Sequence, residues 1–272
     1  MTESICPQWS NINRPVIGMI HLPALPGSPG YPGDLDAVRE HVVRDAKTLQ
    51  VGGVHGLMIE NFGDVPFFPD AVPTHTLTHM TAMALAVREQ VDLPLGINVL
   101  RNDAMSALAI AHAVGASYIR VNVLSGACLT DQGVITGKAA ELMRYRQQIG
   151  ASGVKILADV RVKHAAPLAE RPIEQEAEEL LQRAGADALI ISGEGTGKPT
   201  DPQQARVIRQ SIPEAPIFIG SGVTPESLSS LAEYASGFIV GSCIKPGGRI
   251  DQPVDPAAVA SLMQAWQALP TS

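Results

Sequence analysis

The chain has 272 residues, a net charge of −7 and an apolar fraction of 45%, of which aromatic side chains make up little. This length allows either one large barrel or two smaller domains, and it is enough to bury a sizeable core. The negative charge argues against nucleic acid as a partner, because a phosphate backbone is bound mainly by clustered Lys and Arg. It leaves room for one local anion site.

The cysteines and the first residues bear on where the protein resides. Cys6, Cys128 and Cys243 are odd in number and far apart, which indicates a reducing compartment. The start of the chain lacks the basic and then apolar run of a signal peptide, and no stretch approaches the ~20 apolar residues that a spanning helix needs. We therefore expect a cytoplasmic homo-oligomer whose contact with a membrane, where it has one, is peripheral.

Eight short apolar runs alternate with helical stretches along the chain. The first run, Val16 to Ile20, ends at His21, and Asp34 then opens an amphipathic stretch that reaches Gln50. The later runs are Leu57 to Glu60, Pro94 to Asn98, Tyr118 to Val123, Lys155 to Asp159, Ala188 to Ser192, Pro216 to Gly220 and Phe238 to Gly241. Eight strand–helix pairs without a linker predict an α/β fold, a (β/α)8 TIM barrel, as a single domain over residues 1–272. Residues 1–14 are expected to form an extension that covers the bottom of the barrel.

The fourth predicted strand carries polar residues on one face. Tyr118, Arg120 and Asn122 alternate with β-branched residues that should meet the helices. Arg120 and Asn122 then point into the barrel, where an unpaired charge costs several kcal/mol. Arg120 therefore requires a carboxylate or a bound anion nearby.

Polar residues also end the other predicted strands, and these ends converge on the carboxyl-terminal mouth of a TIM barrel, where catalytic residues lie. The candidate catalytic residues are His21, Glu60, Asn98, Arg120, Asn122, Asp159 and Lys163. Glu60 and Asp159 are the candidates for proton transfer, because a partly dry pocket beside Arg120 tunes their protonation. The amides and Arg120 would stabilise developing oxygen charge. The alternative is a static ion network that only neutralises Arg120.

His21 and Lys163 each keep several interpretations. His21 is an acid, a base, a metal ligand or a hydrogen-bonded plug. With Glu60 and Asp159 it would make a divalent metal site with an open position, but no short-range ligand spacing supports that site, so the cofactor stays unassigned. Lys163 forms a Schiff base, pairs with a phosphate or is solvated. Cys128 is interpreted as an inert thiol, since a nucleophile needs a neighbouring base.

Two of the last strands end in glycine and serine. Ile217-Phe218-Ile219 is followed by Gly220-Ser221-Gly222, and Phe238-Ile239-Val240 by Gly241-Ser242. Without a Cβ in the way, backbone N–H groups of such loops can surround an anion, as the loops after strands seven and eight do in phosphate-binding barrels. The sequence predicts a phosphate site on Gly220, Ser221, Gly222, Gly241 and Ser242, with Ser192, Gly193 and a counter-charge from Lys245.

The glycine-rich segment after the sixth strand does not fit a nucleotide-binding motif. Gly193-Glu194-Gly195-Thr196-Gly197-Lys198 is followed by Pro199, whereas the Walker pattern needs Ser or Thr there. The segment predicts a flexible loop that closes over a ligand, with a plain surface turn as the alternative.

With these residues in view, the chain resembles the BtpA family over nearly its whole length. The segments that carry the resemblance are Ile17-Gly18-Met19-Ile20-His21-Leu22, Glu60-Asn61-Phe62, Gly96-Ile97-Asn98-Val99-Leu100-Arg101-Asn102-Asp103, Ile119-Arg120-Val121-Asn122-Val123-Leu124, Ala158-Asp159-Val160, Phe218-Ile219-Gly220-Ser221-Gly222 and Gly248-Arg249-Ile250-Asp251-Gln252-Pro253. The resemblance implies a TIM barrel of the phosphate-binding kind. It also implies kinship with photosynthetic members that are implicated in photosystem I biogenesis as peripheral thylakoid proteins, and with members that accompany sugar-utilisation genes. It assigns no catalytic residue.

Two functions follow from these observations. The leading hypothesis is an enzyme, a lyase or isomerase, that acts on a small phosphorylated metabolite by proton transfer or carbon–carbon bond chemistry next to a carbonyl. The rival is a non-catalytic assembly or stability factor for photosystem I or another membrane complex, in which the barrel interior performs no reaction.

Overall fold

Eight parallel strands close into a barrel. The computed structural model describes residues 5–193, 195 and 200–270. The strands of the barrel and of a smaller, separate sheet (β5, β6 and β8) are, in chain order, β1 (Val16–His21), β2 (Gly56–Glu60), β3 (Leu95–Asn98), β4 (Tyr118–Val121), β5 (Ala127–Thr130), β6 (Gly133–Thr136), β7 (Lys155–Asp159), β8 (Ala165–Pro167), β9 (Ala188–Ile191), β10 (Ile217–Ile219) and β11 (Gly237–Val240). The barrel order is β1-β2-β3-β4-β7-β9-β10-β11, and β11 pairs with β1 to close it. The predicted TIM barrel is confirmed, with strand ends that differ from the predicted ones by a residue or two.

Helices cover the outside of the barrel. They are α1 (Leu35–Val51), α2 (Thr74–Arg88), α3 (Ala104–Ala113), α4 (Ala139–Gln148), α5 (Ile173–Gln182), α6 (Pro202–Ser211), α7 (Leu228–Leu231) and α8 (Pro256–Gln267). Asp34 caps α1 by accepting a hydrogen bond from the Ala37 N–H at 3.0 Å, and Asp255 caps α8 through the Ala257 N–H at 2.9 Å. Within the described residues, no helix combines the length and apolarity that crossing a bilayer requires.

Alternation along the strands divides the core into two parts. Outward residues such as Ile119 and Val121 pack under the helices in one large cluster, and inward residues such as Tyr118 and Phe218 fill the barrel in a smaller one. Arg120 shares the inward face with Tyr118 and is buried. The predicted direction of Arg120 is therefore correct.

The residues before β1 lie against the amino-terminal end of the barrel. The Trp9 ring centroid is 5.5 Å from that of Tyr118 and 6.2 Å from that of Phe218, and the indole N–H donates to the His55 carbonyl at 2.6 Å. A Cβ on Gly56 would come within 2.7 Å of the Trp9 ring, so glycine makes room for the indole. This packing closes the lower end and leaves the carboxyl-terminal end open.

A small antiparallel sheet stands beside the open end. Strands β5 and β6 form a hairpin in the loop after β4, and β8, from the loop after β7, pairs with the other edge of β5. These three strands are not among the eight predicted from the sequence, because strands of three or four residues leave too short an alternation to recognise. The sheet forms one wall of the open end.

Candidate active site

A cavity of about 480 Å³ occupies the carboxyl-terminal mouth of the barrel. The residues that line it and that the sequence singled out are His21, Glu60, Arg120, Asn122, Lys163, Gly220, Ser221, Gly222, Gly241 and Ser242. They meet because parallel strands all present their carboxyl ends to the same rim. Of the two predicted proton-transfer groups, Glu60 therefore faces the same space as the two Gly-Ser loops, whereas Asp159 is absent from the described lining of this cavity.

Both Gly-Ser loops border the cavity, and the second one packs against His21. Gly222 has a φ of +63°, a conformation that glycine adopts without strain. A Cβ on Gly241 would lie 2.9 Å from Cε1 of His21, so the imidazole packs directly on this glycine. The Gly220 N–H donates to the Ile191 carbonyl at 2.8 Å and is used by the barrel itself. The Gly220 N–H is therefore not offered to a ligand, and Ser221 and Gly222 are the other residues of this loop that line the cavity.

Three predicted phosphate contacts lie elsewhere. Ser192 and Gly193 are absent from the described residues that line the cavity, and the Ser192 hydroxyl donates to Asp159 at 3.2 Å instead. Lys245 is buried, with its ammonium 3.3 Å from Asp45 and donating to the Gln252 carbonyl at 2.7 Å. Lys245 therefore ties the segment after β11 to α1 and is not the predicted counter-charge. Most of the glycine-rich segment, at 194 and 196–199, lies outside the described residues.

Arg120 and Asp159 form a buried ion pair at the floor of the mouth. Arg120 donates from Nε to Asp159 Oδ2 at 2.9 Å and from a terminal nitrogen to Oδ1 at 2.8 Å. Asn122 donates to the same carboxylate at 3.1 Å, and the Ser192 hydroxyl donates to it at 3.2 Å. Burial by itself would lower the pKa of Arg120, but the charge and hydrogen bonds of Asp159 raise it overall. The required carboxylate is present, and four donors surround it.

Asn98 supports this floor from behind. Its amide nitrogen donates to Asn122 Oδ1 at 3.0 Å and to the Arg120 carbonyl at 3.2 Å. Asn98 is absent from the described lining of the cavity. It orients the Asn122 amide and does not itself face the open space.

Glu60 differs from Asp159 in its surroundings. Its carboxylate lies 3.8 Å from Nε2 of His21, and within the described part of the chain no hydrogen-bond donor reaches it. Burial raises the pKa of Glu60, and the charges of Arg120 and Lys163 offset only part of that rise. A buried carboxyl with a raised pKa and free oxygens is suited to accept or release a proton.

Lys163 and His21 complete the ionisable set. Burial lowers the pKa of the Lys163 ammonium to about 8, and the nearby charge of Arg120 acts in the same direction while Glu60 opposes it. Burial also lowers the pKa of His21 well below its usual value, which keeps the imidazole neutral near pH 7. Nδ1 of His21 is buried and has no hydrogen-bond partner among the described residues. The mouth thus holds a neutral imidazole, a carboxyl and an amine that changes charge near neutrality.

Arg101 is a cavity residue to which the sequence analysis gave no role. It is buried, lines the cavity, and donates from its guanidinium to the Lys163 carbonyl. Its neighbours serve the scaffold: Asn102 bonds both the N–H and the carbonyl of Val123, and Asp103 caps α3 through the Ser106 N–H. The run of polar residues after β3 indicated that a functional residue could lie there. Spacing alone could not tell that Arg101 lines the cavity while Asn102 and Asp103 support the backbone.

No metal cluster follows from these positions. Within residues 5–193, 195 and 200–270, no group of three or more His, Cys, Asp or Glu side chains is placed to hold a metal ion. The three residues proposed for such a site are His21, Glu60 and Asp159, and the oxygens of Asp159 are taken by Arg120 and its neighbours.

The fold and the mouth define a TIM-barrel protein with a charged cavity at the carboxyl ends of its strands. The chain belongs to the BtpA family, whose sequence profile matches residues 12–268. It is 46% identical to an uncharacterised protein of Thermococcus kodakarensis, covering 89% of this chain and 90% of that one. It is 43% identical to the Photosystem I biogenesis protein BtpA of Synechocystis, covering 95% and 90% of the two chains.

Solved structures resemble the chain in fold at low identity. Phosphoribosyl anthranilate isomerase from Thermus thermophilus has a TM-score of 0.57 and 11% identity, covering 94% of this chain and all (100%) of that one. The native KDPGal structure has a TM-score of 0.57 and 16% identity, covering 93% and 94%. Likeness at this level is evidence for the barrel alone.

Proposed function

We propose that the protein is a phosphate-binding TIM-barrel enzyme that acts on a small phosphorylated metabolite, by proton transfer or carbon–carbon bond chemistry next to a carbonyl. The observation that carries the proposal is that both Gly-Ser loops and the ionisable groups line one cavity of about 480 Å³. That volume is typical of small-molecule sites. The neighbouring solved structures share only the fold, so the argument rests on the site.

In this proposal the phosphate lies on the backbone of Ser221, Gly222, Gly241 and Ser242, the part of the two loops that borders the cavity. Arg101 and Lys163, which follow β3 and β7, supply positive charge to the same cavity. Arg120 is neutralised by Asp159, so it contributes directed hydrogen-bond donors more than net charge. A phosphorylated compound would therefore be held at one end by loops and at the other by basic side chains.

Glu60 is the proposed proton-transfer group, because it is buried, has a raised pKa and is not saturated by donors. Asp159 is assigned to the counterion role that the sequence analysis kept as an alternative. Lys163, with a pKa of about 8, is a second group that can hold or release a proton at neutral pH. The Schiff-base and phosphate-pairing interpretations of Lys163 both remain compatible with its place on the cavity wall.

Ligand-induced thermal stabilisation tests the phosphate site. Glucose 6-phosphate is expected to raise the melting temperature while glucose does not, since a ligand at 100 times its Kd stabilises by about 2.7 kcal/mol. Ser221→Glu places a negative charge in the loop and is expected to abolish that stabilisation. Ser242→Glu provides the same test from the second loop, and Ser230→Glu, an exposed serine on α7, is the matched control. Equal stabilisation of the wild type and both loop variants would reject the site.

The assembly-factor function rests on the name of the Synechocystis relative. The cross-strand pair Leu129 and Val134 on the β5–β6 hairpin, 51% and 55% exposed, gives such a factor an apolar surface to use. A folded Glu60→Gln, Lys163→Met double variant that restores a host deletion strain fully would favour this function. Loss of rescue with normal protein levels would favour the enzyme.

A further inference from the structure

A second cavity of about 310 Å³ lies beside the mouth. Asn122 and Val162 line both cavities, so the two adjoin each other at these residues. The end of the barrel strand β7 lines it through Asp159, and elements outside the barrel contribute Cys128 on β5, Pro167 on β8 and Leu180 on α5. The small antiparallel sheet therefore encloses space that a bare barrel would leave open.

The lining of this second cavity is suited to an uncharged group. Small apolar residues make up much of it, among them Ala127, Val160, Ala165, Pro167, Leu168 and Leu180. Each of its charged residues has a counter-charge: Arg161 donates to Glu176 at 2.9 Å and Arg171 to Glu179 at 2.5 Å. Asp159, which also lines this cavity, is paired with Arg120 at 2.8 Å. Because each of these charges has a counter-charge, an ionic ligand would gain no uncompensated ion-pair partner, whereas an apolar group would be removed from water. One buried donor, the Nε of Arg161, has no hydrogen-bond partner among the described residues and could donate to a neutral acceptor on that group.

The thiol that faces this space is also neutral. Cys128 lies on the same face of β5 as the cross-strand partners Ile135 and Pro167, and Ile135 is buried. Burial raises the pKa of Cys128. The next residue, Leu129, points the other way and is 51% exposed.

We propose that the second cavity binds a neutral, largely apolar substituent of the ligand whose phosphate lies on the Gly-Ser loops. The substrate class is then a phosphorylated compound that carries a ring or chain beyond its phosphorylated part, and a bare sugar phosphate fills only the mouth. This inference rests on the proposed phosphate site, and it adds a specificity site that is separate from the proton-transfer groups.

A matched pair of ligands tests the inference by calorimetry. Phenyl β-D-glucoside 6-phosphate carries a phenyl group on the anomeric oxygen of glucose 6-phosphate, which also fixes the sugar as the β-pyranose. The wild type is expected to bind the phenyl compound about tenfold or more tightly, as burial of a Phe-sized ring implies. Cys128→Trp fills the second cavity and is expected to remove this advantage while the affinity for glucose 6-phosphate stays unchanged. Leu129→Trp, on the outward face of the same strand, is expected to retain it.

A labelling measurement locates the phenyl group without any substitution. Alkylation of Cys128 by N-ethylmaleimide, followed on its peptide by mass spectrometry, is expected to slow with the phenyl compound and not with glucose 6-phosphate. Equal affinities for the two compounds, or equal alkylation rates, would overturn the second cavity while leaving the phosphate site standing. Failure of both compounds to bind the wild type would instead reject the proposed function.

Discussion

Asp159→Asn tests whether this carboxylate is a counterion or a proton carrier. The substitution keeps the side-chain shape but removes the charge that faces Arg120, which is 5% exposed and donates to both carboxylate oxygens at 2.8 and 2.9 Å. Removing one partner of a buried ion pair costs about 3–5 kcal/mol, because the other charge stays buried without compensation. We expect the free energy of unfolding to fall by that amount, which lowers the melting temperature by roughly 6 °C or more.

Glu60→Gln is the matched control, since Glu60 is also buried but has no donor to lose among the described residues. Burial raises the pKa of Glu60, and a carboxyl with a raised pKa contributes stability that is complete below its unfolded pKa and is lost as pH rises through the folded value. Ionised Glu60 is therefore a destabilising charge at higher pH. We expect the Gln variant at pH 8 to be at least as stable as the wild type.

Urea unfolding followed by circular dichroism at pH 8 measures both variants, and unchanged slopes against urea show that the midpoints report stability. The contrast between the two variants is the result that matters. An Asp159→Asn protein as stable as the wild type would refute the counterion assignment. So would a Glu60→Gln protein that loses as much stability as Asp159→Asn.

Two further predictions concern the amine in the mouth and the closed end of the barrel. Glu60→Gln is expected to lower the pKa of Lys163 below about 8, because the Glu60 charge raises it, and the pH dependence of Lys163 reductive methylation measures this. An unchanged value would show that the two groups are not coupled. Trp9→Ala is expected to cost about 3–5 kcal/mol in urea unfolding, because it leaves a cavity beneath Tyr118 and Phe218. A cost below about 1 kcal/mol, the range of an ordinary surface change, would contradict that packing role.

The sequence predicts the barrel because its signals are local and repeat eight times. It also predicts that Arg120 needs a carboxylate, since alternation along one strand is enough to turn that residue inward. The identity of the partner depends on register between strands: Arg120 pairs with Leu157, so Asp159 comes one side-chain step further on the same face. The register between β4 and β7 cannot be read from the sequence of either strand alone. For that reason the sequence could not decide whether Asp159 is the counterion of Arg120 or a proton carrier.

The errors of the sequence analysis involve long-range contacts. Lys245 follows a Gly-Ser loop, but its ammonium pairs with Asp45, 200 positions earlier in the chain. Gly220 is near the cavity, yet its N–H is used by the neighbouring strand. Both outcomes depend on which helix or strand packs alongside, and neither is visible in a motif of three or four residues.

The two carboxylates of the mouth illustrate how a barrel can separate structure from chemistry. Asp159 is surrounded by Arg120, Asn122 and Ser192, so a proton on it would break several charged hydrogen bonds. Glu60 is buried to a similar degree but faces the cavity, and among the described residues its oxygens accept no hydrogen bond, so its protonation disturbs fewer contacts there. A fixed counterion keeps Arg120 directed at the mouth, and the unsaturated carboxyl beside it can then change its charge during a reaction. The same logic directs a search for substrate toward compounds whose reacting carbon reaches Glu60 while their phosphate lies on the Gly-Ser loops.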